Sequence, residues 1–305
     1  MKRRDFLKNG VGATFLAGAA MTLGKISNVF GAKPEDPVYD LVAIKGDDPA
    51  AMFDKAIKSL GGMEKYVSQG QKVVVKPNIG WDASPERAAN TNPELVKRII
   101  EHCFDAGAKE VYVFDNTCNE WKNCYSNSGI EKLVKDAGGK MVPGNTESYY
   151  HPVDIPGGKS LKNAKVHELI LDSDVFINVP VLKSHSSAKL TIAMKNLMGV
   201  VWDRRYWHKN DLHQCIADYS TFRPPDLNVV DAYRVMKQNG PRGVSVDDVV
   251  MMNSLLISTD IVAVDAAAAK VFGFEPDEIP YISIADQMGI GTMDLDKLNI
   301  NKLKL

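Results

Sequence analysis

Short apolar runs alternate along the chain with longer segments in which apolar residues recur every three to four positions. The short runs predict strands at residues 39–44, 72–75, 111–114, 175–179 and 254–258. The longer segments predict amphipathic helices at residues 50–60, 93–106, 128–137, 260–272 and 280–288. Because the strands are apolar throughout, we predict an α/β fold of three layers, a mostly parallel sheet with helices on both faces.

The start of the chain has the pattern of an export signal. Arg3 and Arg4 precede Phe-Leu-Lys, and an uncharged stretch rich in alanine and glycine runs from Asn9 to Gly24. Paired arginines predict the twin-arginine class, and with it the twin-arginine export machinery as a partner and a periplasmic or otherwise exported location. The stretch is too short for a stable membrane anchor, which needs about 20 mostly apolar residues. We therefore predict a signal peptide at residues 1–32 and a single α/β domain at residues 33–305.

The charge balance argues against some partners. The chain has 37 Lys+Arg and 38 Asp+Glu, and the predicted signal contains five of the former and one of the latter. The remainder therefore has 32 basic and 37 acidic residues, a net charge near −5. A chain with this balance is not expected to bind nucleic acid.

The cysteines are too few for a disulfide framework in a domain of this size. They are Cys103, Cys118, Cys124 and Cys215. Cys103 lies on the apolar face of a predicted helix and is expected to belong to the core. Whether Cys118 and Cys124 pair across their short loop stays open.

Polar side chains follow three of the predicted strands. Lys76 and Asn78 follow the second strand, Asp115 follows the third, and Lys183 and His185 follow the fourth. In parallel sheets, ligands bind beyond the carboxyl ends of the strands, where the loops converge. We therefore expect these side chains to line one pocket.

A further helix is predicted directly after His185, from the serines at 186–187 to Gly199, with capping residues at both ends. Its N-terminus is expected to point to the same pocket, and Lys195 to face it. With Lys76 and Lys183, these groups predict a receptor for a small carboxylate or phosphate anion. The alternative is that Lys195 is a solvated position on an amphipathic helix.

These residues predict an enzyme that acts on a small anion by acid–base chemistry. The catalytic candidates are His185, as general acid or base, with Lys183 and Lys195. The substrate-binding candidates are Lys76, Asn78, Asp115, Asn178, Asn196, Arg204 and Arg242. Two alternatives stay open: a non-catalytic binding or cofactor-handling protein that uses the same pocket, and a metal-dependent redox protein.

The metal alternative depends on histidines. His185, His208 and His213 are candidate ligands of one divalent metal, with Asp218 or Asp231 as a further ligand. His208 and His213 are five residues apart, whereas a spacing of four aligns two histidines on a helix, and the glutamate of a zinc-protease motif is missing. A hydrogen-bonded surface histidine is the simpler interpretation of each one, and the cofactor stays unknown.

Several segments together resemble the family known as domain of unknown function 362. They are Lys76-Pro77-Asn78, residues 178–185, residues 191–199, Gly240-Pro241-Arg242-Gly243, Asp260-x-Val262-Ala263-x-Asp265 and Gly289-x-Gly291. The resemblance spans residues 72–291 and implies the fold and the site. Some members look like iron–sulfur proteins because they carry a ferredoxin-type cysteine run. This chain lacks Cys-x-x-Cys spacing, so an iron–sulfur cluster is not expected.

A fainter similarity, in the lysines and histidines at strand ends, is to the nickel-pincer lactate racemases. Members of that group interconvert small hydroxy acids by acid–base or hydride chemistry. As an analogy, the similarity implies isomerase-like or oxidoreductase activity for this chain.

Overall fold

A computed structural model describes residues 38–305 of the chain. The predicted signal peptide, and the short segment that follows it up to residue 37, lie outside the described residues. Residues 39–305 form one compact unit. None of the helices in the described part of the chain is long and apolar enough to cross a membrane.

Ten of the strands within residues 38–305 form one mixed sheet. The strands are β1 (Leu41–Lys45), β2 (Lys72–Pro77), β3 (Glu110–Val113), β4 (Lys140–Met141), β5 (Tyr150–Asp154), β6 (Asn163–His167), β7 (Val175–Val179), β8 (Val181–His185), β9 (Lys189–Thr191), β10 (Leu227–Met236), β11 (Val249–Ser258) and β12 (Ile300–Lys304). The order is β12-β1-β11-β10-β7-β2-β3-β4; β8 also pairs with β10, and β9 with β8. β11 is antiparallel to both neighbours and β9 to β8, whereas the other pairs of this sheet are parallel. β5 and β6 form a separate antiparallel pair.

Helices cover both faces of the sheet. They are α1 (Pro49–Ser59), α2 (Pro93–Asp105), α3 (Trp121–Asn127), α4 (Ile130–Asp136), α5 (Glu168–Asp172), α6 (Ala193–Asn196), α7 (Arg204–Lys209), α8 (Leu212–Tyr219), α9 (Ile261–Phe272) and α10 (Pro280–Gln287). Along β2, Val73 and Val75 pack into an apolar cluster with α1 and α2, while Val74 packs into a second cluster with α9 and α10. Successive strand residues point to opposite faces, so both faces are buried. The predicted three-layer α/β fold is confirmed.

Most predicted elements end within one or two residues of their observed ends, and β11 is the main exception. The sequence predicted a strand only at residues 254–258, but β11 begins at Val249. The first part of β11 pairs with the end of β10, where Met251 lies opposite Arg234. This part carries an apolar run, Val249 to Met252, but none of these residues is fully buried, and only the buried half was predicted to be a strand. β10 was not among the predicted strands.

The helix predicted directly after His185 is wrong. β8 and β9 form an antiparallel hairpin there, in which Lys183 lies opposite Thr191 and His185 opposite Lys189. Lys189 has a φ of 61°, in the left-handed region, as the tight turn requires. Helical residues begin only at Ala193.

Residues 190–201 led to the prediction of a longer helix, although their burial is not confined to one face. Every residue from 190 to 201 is buried, so apolar residues at helical spacing say little about the backbone here. The N–H groups of Ala193 and Met194, at the start of α6, donate to the carboxylate of Asp265 at 2.7 Å and 3.1 Å. Asp265 therefore neither pairs with a pocket lysine nor faces water, and the N-terminus of α6 is already capped.

Two short helices follow Asp203 and Asp211. Asp203 caps α7 through the N–H of Tyr206, and Asp211 caps α8 through the N–H of Gln214. α7 carries Arg204 along one side of the site described next. Asp260 caps α9, as its position in the sequence predicts.

Candidate functional site

The carboxyl ends of β2, β3, β7 and β8 meet at a cavity of about 300 Å³. β2 lies between β3 and β7 and is parallel to both, so the residues that leave these strands converge. The lining residues that the sequence predicted are Lys76, Asn78, Asp115, Lys183, His185, Lys195, Asn196, Arg204 and His208. The lining residues that it did not predict are Gly80, Trp81, Asn116, Cys118, Ser186, Ser187, Thr191, Met198, Gly199, Arg205 and Pro241. We call this space the lysine cavity.

A buried ion pair lies at the base of the lysine cavity. Lys76 Nζ is 2.9 Å from Asp115 Oδ1, in a contact without the geometry of a directed hydrogen bond. The backbone N–H of Ile79 donates to Asp115 Oδ2 at 2.7 Å. Burial lowers the pKa of Lys76, and the Asp115 charge opposes that effect. A Cβ added to Gly199 would overlap Asp115 Oδ1, so glycine lets the backbone approach this pair.

Asn196 connects the ion pair to the neighbouring strands. Its Oδ1 accepts hydrogen bonds from Lys76 Nζ at 2.9 Å and from Asn78 Nδ2 at 3.0 Å. Its Nδ2 donates to Asn178 Oδ1 at 2.9 Å and to the carbonyl of Lys76 at 3.3 Å. Asn178 in turn bonds Asn228 and the carbonyl of Ala193. Asn178, predicted to bind substrate, thus lies behind the cavity lining and positions Asn196.

Lys183 is buried at the side of the lysine cavity. Its Nζ donates to Asn78 Oδ1 at 3.1 Å and to the carbonyl of Ala89. Burial lowers the pKa of Lys183 to about 7, with a further lowering by the charge of Lys195. Near neutral pH this amine is therefore present in both protonation states.

Lys195 is the cavity lysine that makes neither a hydrogen bond nor a salt bridge to the described residues. Its side chain lines the cavity with only 9% of the residue exposed. Among the residues that the structure describes, Lys195 Nζ has no hydrogen-bond acceptor within reach and no carboxylate within 4 Å. Burial lowers the pKa of Lys195 to about 8, and the positive charges of Arg204 and Lys76 act in the same direction. Lys195 therefore does not lie on an exposed helix face.

His185 is held as a neutral ring. Its Nδ1 accepts hydrogen bonds from the backbone N–H groups of Ser187 and Ala188, both at 3.2 Å. An acceptor role at Nδ1 places the remaining proton on Nε2. Burial, with the charges of Lys195 and Lys183, lowers the pKa of His185 far below its usual range. His185 can therefore donate a hydrogen bond from Nε2 but has no free basic nitrogen.

Arg204 lies between the lysine cavity and a larger one. Its guanidinium donates to the carbonyls of Asn116 and Thr117, in the loop after β3. The larger cavity, of about 1120 Å³, lies beside β5, β6 and α7 and shares Asn116, Arg204 and Arg205 with the lysine cavity. A guanidinium has five N–H groups, so Arg204 retains donors for a ligand.

The metal site proposed from the sequence does not assemble. Within residues 38–305, no group of three or more His, Cys, Asp or Glu side chains is arranged to hold a metal ion. The rings of His185 and His208 stack 6.2 Å apart, but His213 stacks on Tyr281.

The two aspartates considered as further metal ligands have structural roles. Asp218 accepts hydrogen bonds from the N–H groups of Ser160 and Leu161. Asp231 accepts from the N–H groups of Asn92 and Tyr233. Both carboxylates therefore hold loops in place.

Arg242, predicted to bind substrate, does not line the lysine cavity. Its side chain is exposed, and the preceding Pro241 reaches the cavity instead. A Cβ on Gly240 would overlap the carbonyl of Ser184, so this turn packs closely against β8. The prediction that Arg242 lines the pocket is therefore wrong.

A family model described as Domain of unknown function (DUF362) matches residues 73–270, more than half of the chain. The chain belongs to this family. The "Thylakoid-associated protein sll1697" of Synechocystis sp. is 26% identical over 242 residues, which are 77% of this chain and 73% of that protein. The DUF362 resemblance of the sequence is thus confirmed.

Two solved structures are similar in fold. The lactate racemase apoprotein from Thermoanaerobacterium thermosaccharolyticum matches with a TM-score of 0.47 and 11% identity, over 75% of this chain and 56% of that chain. A structural-genomics target from Thermotoga maritima matches with a TM-score of 0.43 and 10% identity, over 80% of this chain and 60% of that chain. This chain therefore spans less than two thirds of either structure.

Proposed function

We propose that this DUF362 protein is an enzyme that binds a small carboxylate or phosphate anion in the lysine cavity. The observation that carries the proposal is Lys195, a largely buried side chain that lines the cavity and whose ammonium has no hydrogen-bond or salt-bridge partner among the described residues. Lys76, Lys183 and Arg204 add positive charge, and Asp115 is the one carboxylate in the lining. Buried charges are normally paired, so a bound anion is the natural partner of Lys195.

The side chains suggest distinct roles in acid–base chemistry. Lys183, with a pKa of about 7, is suited to remove a proton near neutral pH. As a neutral amine it keeps a lone pair while both of its N–H groups donate to Asn78 and Ala89. The Nε2–H of His185 is suited to stabilise a developing negative charge on a substrate oxygen. Lys183, and not His185, thus becomes the proposed base.

Anion binding is tested by calorimetric titration of inorganic phosphate and of lactate at pH 7. We expect Lys195→Met to weaken binding of whichever anion binds by roughly ten- to a hundredfold, because a hydrogen bond to a charged group is worth about 1.5–3 kcal/mol. The control is Lys209→Met, which removes the same charge from an exposed position. Equal affinity of wild type and a folded Lys195→Met protein for both anions would contradict the proposal.

Catalysis is tested separately from binding. With a bound hydroxy acid, proton abstraction next to the carboxylate predicts exchange of that C–H with D₂O, which NMR detects. Lys183→Met should abolish the exchange. Binding without exchange in the wild type would favour a non-catalytic anion-binding protein over an enzyme.

We also propose that the protein is exported through the twin-arginine pathway. The support is the Arg3-Arg4 pair and the uncharged stretch that follows it, both outside the described residues. Export of a folded protein would allow the lysine cavity to be complete before the protein reaches its destination.

A further inference from the structure

Cys118 differs from the other cysteines in its surroundings. Cys103, Cys124 and Cys215 are buried, whereas Cys118 is exposed and lines the lysine cavity. All four are free thiols, so Cys118 and Cys124 do not pair in this structure. Burial raises the pKa of the Cys124 and Cys215 thiols to about 11, which leaves both unreactive near neutral pH.

The loop after β3 holds Cys118 at the cavity. Its backbone N–H donates to the carbonyl of Gly80 at 2.8 Å, which ties this loop to the loop after β2. A Cβ on Gly80 would lie 3.8 Å from Cys118 Sγ, so the thiol is close to the cavity wall formed by that loop.

Cys118 also lies within electrostatic reach of the lysines. Lys183 and Lys195 both interact electrostatically with the Cys118 side chain. A thiol and an ammonium without a salt bridge thus share one small cavity. The ammonium favours the binding of an anion. The thiol is the strongest nucleophile in the lining.

We propose that Cys118 is a nucleophile that attacks an electrophilic carbon of the small anion held by Lys195. This inference rests on the proposed function, because Lys195 must bind the anion for the carbon to be placed near sulfur. The ligand class is a carboxylate or phosphate that carries a carbonyl close to its charge, such as a 2-oxo acid.

The step balances with groups that line the cavity. The Cys118 thiol gives its proton to the neutral amine of Lys183, and the sulfur forms a bond to the carbonyl carbon. The electron pair of the C=O π bond moves to oxygen, which takes a proton from an ammonium of the cavity and becomes the hydroxyl of a hemithioacetal. No oxidation or reduction takes place, and the reverse step regenerates thiol and substrate.

The test compares iodoacetate with iodoacetamide, which differ in the carboxylate. In both reactions the Cys118 sulfur forms an S–C bond and iodide leaves. The rate ratio is the rate of modification by iodoacetate divided by the rate of modification by iodoacetamide. We expect this ratio to be at least tenfold higher for Cys118 than for glutathione, because one charge-assisted hydrogen bond to the carboxylate is worth a factor of about ten or more. Mass spectrometry of the digested protein locates the modified residue.

Two variants separate the contributions. Lys195→Met should reduce the rate ratio to that of glutathione, while Lys209→Met should keep it high. Cys118→Ser should abolish the fast labelling and still bind phosphate in calorimetry, which shows that it is folded.

The inference is wrong if Cys118 in the wild type reacts with the same rate ratio as glutathione, or if another cysteine reacts first. If phosphate or lactate still binds in a Lys195-dependent way, only the role of Cys118 is lost. If neither anion binding nor the rate ratio depends on Lys195, the proposed function fails with it.

Discussion

Replacement of Lys195 by methionine should make the protein more stable while it weakens anion binding. Burial lowers the pKa of Lys195 from 10.5 to about 8. One pKa unit corresponds to about 1.4 kcal/mol, so the charged lysine destabilises the free protein at pH 7 by up to about 3 kcal/mol. Methionine has a similar unbranched shape, and no hydrogen-bond partner in the described residues is orphaned by the change. We expect an increase in Tm of roughly 3–6 °C, since 1 kcal/mol shifts Tm by about 2 °C in a domain of this size.

The difference in stability between Lys195→Met and wild type should decrease as pH rises. Below pH 8, Lys195 is protonated in both the folded and the unfolded protein, and the full cost of the buried charge is present. Between about pH 8 and 10.5 the unfolded chain binds more protons than the folded protein, so wild-type stability rises with pH. The advantage of Lys195→Met should therefore shrink over this window.

The measurement is thermal unfolding of wild type, Lys195→Met and the exposed control Lys209→Met, without added anions, at pH 7 and pH 9.5. Lys209→Met should unfold within a degree or so of wild type at both pH values, as expected for an exposed site. A Lys195→Met protein that is less stable than wild type at pH 7, or whose advantage grows with pH, would refute the assignment of Lys195 as a buried ammonium without a salt bridge.

Two further predictions concern the backbone at the site and the start of the chain. Gly199→Ala should lower the free energy of unfolding by about 1–3 kcal/mol and weaken phosphate binding, because its Cβ would overlap Asp115 Oδ1. Denaturant unfolding checks this against Gly80→Ala, whose Cβ meets nothing closer than 3.6 Å; equal losses in both variants would count against it. Changing Arg3 and Arg4 to lysine should leave full-length precursor in the cytoplasm, as seen by fractionation and immunoblotting, and normal export of that variant would exclude the twin-arginine signal.

The sheet and the meeting of its strand ends could be predicted because both depend on local patterns. β7 is apolar at every position except Asn178, lies at the residues expected, and pairs in parallel with β2. Lys76 and Asp115 therefore converge as expected.

Properties of the site that depend on tertiary contacts could not be predicted. Apolar residues at helical spacing led to the prediction of a helix across the β8–β9 hairpin, because every residue from 190 to 201 is buried. The protonation of His185 depends on a turn that directs the N–H groups of Ser187 and Ala188 at Nδ1. Asn178 and Arg242 are near the predicted site in sequence, but the directions of their side chains exclude both from the lining.

The side-chain amide of Asn196 has consequences for selectivity. It accepts two hydrogen bonds and donates two, so its full bonding capacity is used by the protein itself. Lys76 and Asn78 are consequently fixed before any ligand arrives, and little rotamer entropy remains to be lost on binding. Such a rigid wall cannot adapt to a ligand of another shape. We therefore expect the cavity to distinguish anions by size and geometry more than by their charge.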